Sequence, residues 1–208
     1  MIPSQLPSMS PTQPYSYNAV LRLGSVEKYS GVMVPFEFTE ANLALWYCGG
    51  VSSCNSASTN TTDANGDRKG LEVGDSNTIS IALIQNPTGG LFLVLIYDSK
   101  NDGSGGRATV LVEGADDMIH QDDNGEGDSF PGAMSWKWGA KFTDGFIVSL
   151  SPGATVCYTH SSLQGLDTLK FIPAAQDDRY QLGSEISIVS GSTADIEAEK
   201  FCVDLSGS

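Results

Sequence analysis

The sequence predicts an all-β fold, with two antiparallel sheets packed face to face as a jelly-roll or immunoglobulin-like sandwich of about 10–12 strands. Three observations carry this. The chain has 23 glycines and only 17% charged residues, a balance that favours short strands and polar turns over amphipathic helices. Short β-prone runs alternate with clusters of Gly, Pro, Asn, Asp and Ser along nearly its whole length. Long helix-forming stretches are nearly absent. A closed barrel is the second choice of architecture. At 208 residues the chain can bury one sizeable core, and the pattern gives no reason to cut it. Residues 17–208 are expected to form a single domain behind an arm of residues 1–16.

The expected strands, in order, are Tyr17–Leu23, Val32–Phe38, Leu43–Cys48, Thr78–Gln85, Leu91–Tyr97, Ala108–Glu113, Ala133–Trp138, Phe146–Leu150, Ala154–Thr159, Thr168–Ile172, Glu185–Val189 and Lys200–Leu205. In Thr78-Ile79-Ser80-Ile81-Ala82-Leu83 and Glu185-Ile186-Ser187-Ile188 the isoleucines and Leu83 alternate with small or polar residues, so one face of each strand should be buried. Leu91-Phe92-Leu93-Val94-Leu95-Ile96-Tyr97 is apolar throughout, as expected of a central strand covered on both sides. Asn86-Pro87-Thr88-Gly89-Gly90 just before it has the residues of a turn and suggests a hairpin with the preceding strand. The one helical signal is Thr193 to Lys200, with Thr193 as the expected cap. No repeat of fixed period is visible, which argues against a solenoid or propeller.

The formal net charge is −14 and the sequence pI about 4.2. Nucleic acid and anionic membrane surfaces are therefore poor partners, leaving cations, neutral sugars or basic proteins. No run is long and apolar enough to span a bilayer. Four cysteines, Cys48, Cys54, Cys157 and Cys202, show no zinc-type spacing, and the two histidines, His120 and His160, stand far apart. Disulfides are the better account, most simply Cys48–Cys54 and Cys157–Cys202, and such bonds persist outside the reducing cytosol. Asn60-Thr61-Thr62 is a glycosylation sequon in a Ser/Thr/Asn-rich stretch. A secreted protein at a cell surface or wall is the expectation. The N-terminus lacks the features of a signal peptide, so the chain is expected to be a mature or excised form with Met1 supplied for expression.

The opening Ile2-Pro3-Ser4-Gln5-Leu6-Pro7-Ser8-Met9-Ser10-Pro11-Thr12-Gln13-Pro14 makes an extended, weakly packed arm. It resembles the Pro-Ser-Met-Ser-Pro-Thr linkers between modules of algal cell-surface proteins, a resemblance that bears on setting and not on activity.

The most distinctive stretch runs from Asp98 to Asp128. It holds nine acidic residues against Lys100 and Arg107, half of the net charge of −14. Within it, Asp122-Asp123-Asn124-Gly125-Glu126-Gly127-Asp128 sets oxygen-bearing side chains at Asp122, Asn124, Glu126 and Asp128 with glycines between, the arrangement a hard cation such as Ca²⁺ requires. Bare, these carboxylates would repel one another. Asp63-Ala64-Asn65-Gly66-Asp67 has the same alternation at Asp63, Asn65 and Asp67. Its competing explanation is plain turn chemistry. Neither is an EF-hand, because Gly74 and Ala133 stand where the bidentate glutamate belongs. Asp98 and Asp102, after the most apolar strand, are expected to join Asp116 and the residues up to Asp128 around one ion on a shared rim.

Trp136 and Trp138, two apart in a strand, share a face. With Tyr97 they are the candidate sugar-stacking platform if that face meets solvent; core packing is the alternative, favoured for at least one of them because Ala133-Met134 precedes and Phe142 follows. Nucleophile elbows, zinc-protease helices and phosphate loops are absent from the sequence, and His160 at a strand end reads as structural. The chain is therefore expected not to be an enzyme. In a general way it resembles secreted adhesin and carbohydrate-binding modules that carry acidic calcium loops on a sandwich rim. That implies a calcium-binding module for cell-surface adhesion or glycan binding, with a glycan or cell-surface protein as partner. The alternatives are a self-assembling subunit of a matrix, wall or filament and, from a third class, a glycan-active enzyme.

Overall fold

The computed structural model describes residues 17–33, 61–62, 68–69, 76–85, 90–98, 103–121, 129–140, 144–172 and 186–207. These form an all-β sandwich. Its strands are β1 (Tyr17–Leu23), β2 (Val26–Met33), β3 (Thr61–Thr62), β4 (Arg68–Lys69), β5 (Thr78–Gln85), β6 (Leu91–Tyr97), β7 (Gly106–Glu113), β8 (Asp117–Gln121), β9 (Ala133–Trp138), β10 (Asp144–Leu150), β11 (Thr155–Gln164), β12 (Thr168–Ile172), β13 (Ile186–Val189) and β14 (Phe201–Gly207). A single short helix, α1 (Thr193–Ala198), precedes β14 among the described residues.

The first six-stranded sheet, sheet A, has the order β2-β1-β14-β11-β7-β9, and the second, sheet B, the order β13-β12-β5-β6-β10-β8. From β7 to β12 successive strands alternate between the two sheets, so sequence neighbours face one another across the core. Pairing is antiparallel except for β12 beside β5, which run parallel in register Thr168↔Thr78 to Ile172↔Ala82. The hairpin expected between β5 and β6 is present, with Gln85 opposite Leu91.

Period-2 patterning decides which side chains fill the sandwich. From sheet A the core receives Tyr17, Ala19, Leu21, Ala108, Val110, Val112, Met134, Trp136, Val156, Tyr158, Phe201 and Val203, and from sheet B it receives Ile79, Ile81, Leu83, Leu93, Leu95, Phe146, Val148 and Phe171. On β7 the intervening Arg107, Thr109, Leu111 and Glu113 stay at least partly accessible. β6 is buried on both faces, as its composition predicts. β5 departs from expectation. Its alternation predicts one solvent face, yet Ser80 and Ala82 are buried as well as Ile79 and Ile81.

Two strands escape a reading by apolar alternation. β2 is Val-Glu-Lys-Tyr-Ser-Gly-Val-Met, polar because it is an edge, and it lies earlier than the predicted Val32–Phe38. Tyr29 from β2 lies over Gly31, where an added Cβ would strike its ring, and meets Phe171 across the sandwich at 5.5 Å. β8, Asp-Met-Ile-His-Gln, is the edge of sheet B. The helix is capped one residue earlier than predicted. Ser192 accepts from Asp195 N at 3.2 Å, while Thr193 Oγ1 donates to Leu166 O at 2.7 Å, tying the helix to the turn before β12.

Cys157 and Cys202 form a disulfide. They are directly opposite in the β11–β14 ladder. Arg22–Asp204 and Lys200–Glu113 ion pairs stand beside it on the same sheet; both remain accessible to solvent and are worth little. The arm of residues 1–16, the predicted strand Leu43–Cys48, the Cys48–Cys54 pair and Asn60 lie outside the described residues.

The bond closes a sequence separation of 45 residues, and by loop entropy it stabilises the fold by about 4 kcal/mol. Urea unfolding of the Cys157→Ser, Cys202→Ser protein is expected to show a loss of that order with an intact β-sheet spectrum. A loss under about 1 kcal/mol would mean that the ladder alone holds β14.

Candidate functional site

Of the residues the sequence singles out, Tyr97, Asp98 and Trp138 meet at one rim of the sandwich, where β6 and β9 end and β5 and β10 begin. β6 terminates at Asp98, which is fully buried and has a left-handed backbone (φ 67°). Asp tolerates that region better than most residues, but the conformation still costs on the order of 1 kcal/mol. Three donors at its carboxylate offset the cost. Oδ1 accepts from Asn77 N at 2.8 Å, and Oδ2 accepts from Trp138 Nε1 at 2.7 Å and Ser104 Oγ at 3.2 Å. The Asp98 N–H in turn donates to Thr78 O at 2.8 Å. A buried charge is tolerable when it is hydrogen-bonded in this way. The Trp138 bond also crosses from sheet A to sheet B.

A second buried carboxylate makes the same crossing. Asp144, at the start of β10, accepts from Lys137 N on β9 at 3.1 Å through Oδ2 and from Gly145 N at 2.8 Å through Oδ1. Nothing in the sequence reading flagged Asp144. Its one signal is its position, an acidic residue and a glycine immediately before an apolar run.

Trp136 and Trp138 share a face, as predicted, and it is the inner face: β9 alternates with Ser135 and Lys137 exposed and the tryptophans buried. Trp138 stacks on Tyr97 with centroids 5.4 Å apart and planes 1° from parallel, and Trp136 stacks on Phe146 at 5.1 Å. Tyr97 is itself fully buried. The surface platform expected of Trp136, Trp138 and Tyr97 is thus corrected to core packing: the register of β9 on β7, with Trp136 opposite Ala108, turns the indoles toward sheet B. Trp136 Nε1 and Tyr158 Oη, both buried, have no hydrogen-bond partner among the described residues.

His160, which its place at a strand end marks as structural, is also buried. Its Nε2 lies 3.4 Å from Tyr97 Oη, with the ring edge-on to the phenol. Burial pushes the imidazole down to about 4, so it is neutral at physiological pH. Burial first, then the Asp144 charge and Tyr158, hold the Tyr97 phenol well above its usual value. The group is a packed polar knot with no open face toward a substrate.

The expected acidic cluster is divided. Asp98 stands beside the first residue of β10, through Tyr97↔Asp144, whereas Asp116 donates its N–H to Ser149 O at 2.9 Å at the far end of that strand. About five residues of strand, roughly 17 Å, separate them. Asp116 is exposed, and its Oδ2 accepts from Ser151 Oγ at 2.9 Å. Asp98 and Asp116 therefore do not share an ion, and the Asp98 oxygens are engaged within the protein. Asp63, Asn65, Asp67, Asp102, Asp122, Asn124, Glu126 and Asp128 lie outside the described residues. Among the described residues no three His, Cys, Asp or Glu side chains gather as a metal site, and no helix is long and apolar enough to cross a membrane.

Comparison of the chain with protein-family models, curated proteins and solved structures finds no match.

Two consequences are measurable. Trp138→Phe keeps the stacked ring but withdraws a donor from a buried carboxylate, and urea unfolding is expected to show a loss of about 2–3 kcal/mol. A loss below about 0.5 kcal/mol would mean that the carboxylate is solvated. For His160, the unfolded chain takes up its proton near pH 6.5 and the folded chain only near 4. Stability from this group is therefore complete above about pH 6.5 and falls as the pH drops to about 4, by about 3 kcal/mol. Between those limits wild type is expected to lose that much more stability than His160→Gln; parallel profiles would contradict it.

Proposed function

We propose that the domain is an extracellular, calcium-binding β-sandwich module that recognises a glycan or cell-surface protein. The observation that carries the reading is the register of β8 on β10. Gln121 stands opposite Phe146, two residues from Asp144, so the chain leaves β8 toward the rim that Asp98 and Asp144 brace. The next residues in sequence are Asp122 to Asp128, the segment whose alternating oxygen donors suit Ca²⁺. A rigid rim at the end of β8 favours recognition, because a ligand then meets a surface whose anchoring strands are already fixed. Calcium in this reading shapes the rim or coordinates ligand hydroxyls directly.

The Cys157–Cys202 disulfide supports an oxidising, extracellular setting. The histidine and carboxylates of the braced rim are engaged in holding the sheets together, which favours a binding role over catalysis.

A self-assembling matrix or wall subunit is the second reading, favoured by one observation. β2 is an edge strand whose Val26 and Val32 are 56% and 45% exposed, and an exposed edge offers ladder groups to another chain. Concentration-dependent light scattering that disappears in Val32→Lys would select this alternative.

The main reading is tested by heat and by ligand. Saturating Ca²⁺ is expected to raise the thermal midpoint, by the equivalent of about 2.7 kcal/mol at a hundred times its Kd. Chelation should reverse the rise, and Asp122→Ala with Asp128→Ala should abolish it. A midpoint indifferent to Ca²⁺ would remove the metal from the account. On a glycan array, binding that requires Ca²⁺ is the expected result.

A further inference from the structure

Sheet B is buried on both faces at its centre. Alternate residues of β5, β6 and β10, among them Ile81, Leu93, Leu95, Phe146 and Val148, fill the core against sheet A. The residues between them point the other way. The register sets Ala82, Val94 and Ile147 in one row, Ile84 beside Phe92 in the next, and Ile96 beside Ser80 on the other side. None of these is more than 3% exposed, and none belongs to the core between the sheets. Apolar side chains on the outward face of a sheet are closed to water only if something lies over them.

The cover is the chain's own, because the burial is that of the single chain. Sheet A occupies the opposite face, and α1 sends Ile196 into that same core. The connection from β2 to β5 is the one whose two ends require it to pass the full height of the sandwich. Met33, which ends β2, is opposite Tyr17, and Tyr17 is opposite Gly207. β11 starts near that end, with Thr155 opposite Asp204, and runs away from it to His160, which meets Tyr97. Tyr97 is opposite Ile79, and Asp98 N donates to Thr78 O, so β5 opens at the other end. The distance is about 25 Å for a strand the length of β5. Residues 34–77 can cover it several times over.

We propose that the outward face of sheet B is a docking surface for the chain's own residues 34–48, which cross it between β2 and β5 and make a third layer of the domain. Their composition matches the face. Phe36, Phe38, Leu43, Leu45, Trp46 and Tyr47 fall within this stretch, and Glu37 and Glu40 are its only charges. Val34, Phe36 and Phe38 alternate with Pro35, Glu37 and Thr39, the period of an extended chain with one apolar side. The other segments between described elements are poorer matches. Residues 173–185 offer Tyr180 and Leu182 among Asp177, Asp178, Arg179 and Glu185, and residues 122–128 hold no apolar side chain beyond their glycines. The arm of residues 1–16 is broken by Pro3, Pro7, Pro11 and Pro14 and joins sheet A at β1. Left bare, the face would be an apolar patch of the kind that drives association.

The test is methyl NOE spectroscopy of the unaltered full chain, labelled at Ile and Val methyls with protonated aromatic rings. NOEs from Ile84, Val94 and Ile96 to the rings of Phe36, Phe38, Trp46 or Tyr47 are expected. NOEs to Tyr180 or to Tyr15 in their place would give the face to another segment and overturn the proposal. NOEs seen only between differently labelled copies would overturn it too, since the face would then join two chains, and so would methyls in contact with water alone. A second measurement uses a dye that fluoresces on exposed apolar surface. Phe36→Ser with Phe38→Ser is expected to raise ANS fluorescence several-fold while the Trp138 indole N–H stays protected, because the core between the sheets is untouched. Tyr180→Ser should leave the fluorescence at the wild-type level. A rise in Tyr180→Ser and none in the double variant contradicts the assignment.

Discussion

A buried carboxylate with three donors is the constraint around which this sandwich closes. Two sheets with apolar inner faces attract one another without direction, and burial alone does not fix where the end of one strand meets the end of another. The Asp98 carboxylate does. It is removed from water, so its oxygens must find donors inside the protein, and those donors come from Asn77 before β5, Ser104 before β7 and Trp138 at the end of β9. Satisfying one charge therefore sets the relative position of three chain segments and of both sheets. Asp144, on the adjacent strand, repeats the device with the backbone of Lys137.

Several other features follow from that clasp. The left-handed turn at Asp98 is held in place, and Trp138 is laid flat on Tyr97. Tyr97 in turn faces His160, whose proton is lost to burial. The chemistry-bearing side chains of this rim are thus consumed in making it rigid. What the clasp leaves outward on β9 is Ser135 and Lys137, and it fixes the backbone that carries them. A scaffold held in this way has its ordering entropy met by folding.

The strands most legible in the sequence are those in which burial leaves a period-2 or continuous apolar trace, such as β1, β5, β6 and β9. β2 and β8 were not, because an edge strand is solvated along one side and its composition approaches that of a loop. An even cysteine count pointed to disulfides, and Cys157–Cys202 belongs to the simplest of the possible pairings. The shared face of Trp136 and Trp138 was equally plain from their spacing. Which side of the sheet that face takes was not, since it depends on β7 as a neighbour, whose Ala108 and Gly106 stand opposite Trp136 and Trp138 from far along the chain. The same limit divided the acidic residues: Asp98 and Asp116 are close in sequence, yet the antiparallel run of β10 beside β6 and β8 sends them to opposite ends. Asp144 left almost no trace, because a single carboxylate before a strand looks like any turn residue.

The most direct measurement of the clasp is hydrogen exchange of the Trp138 indole N–H followed by NMR. If its bond to Asp98 closes the sandwich, that proton exchanges only when the core opens, at the rate of the β6 backbone amides and with the same denaturant dependence. Exchange at the rate of a solvent-exposed indole, with β6 still protected, would show that the sheets stay together without it and would contradict the account.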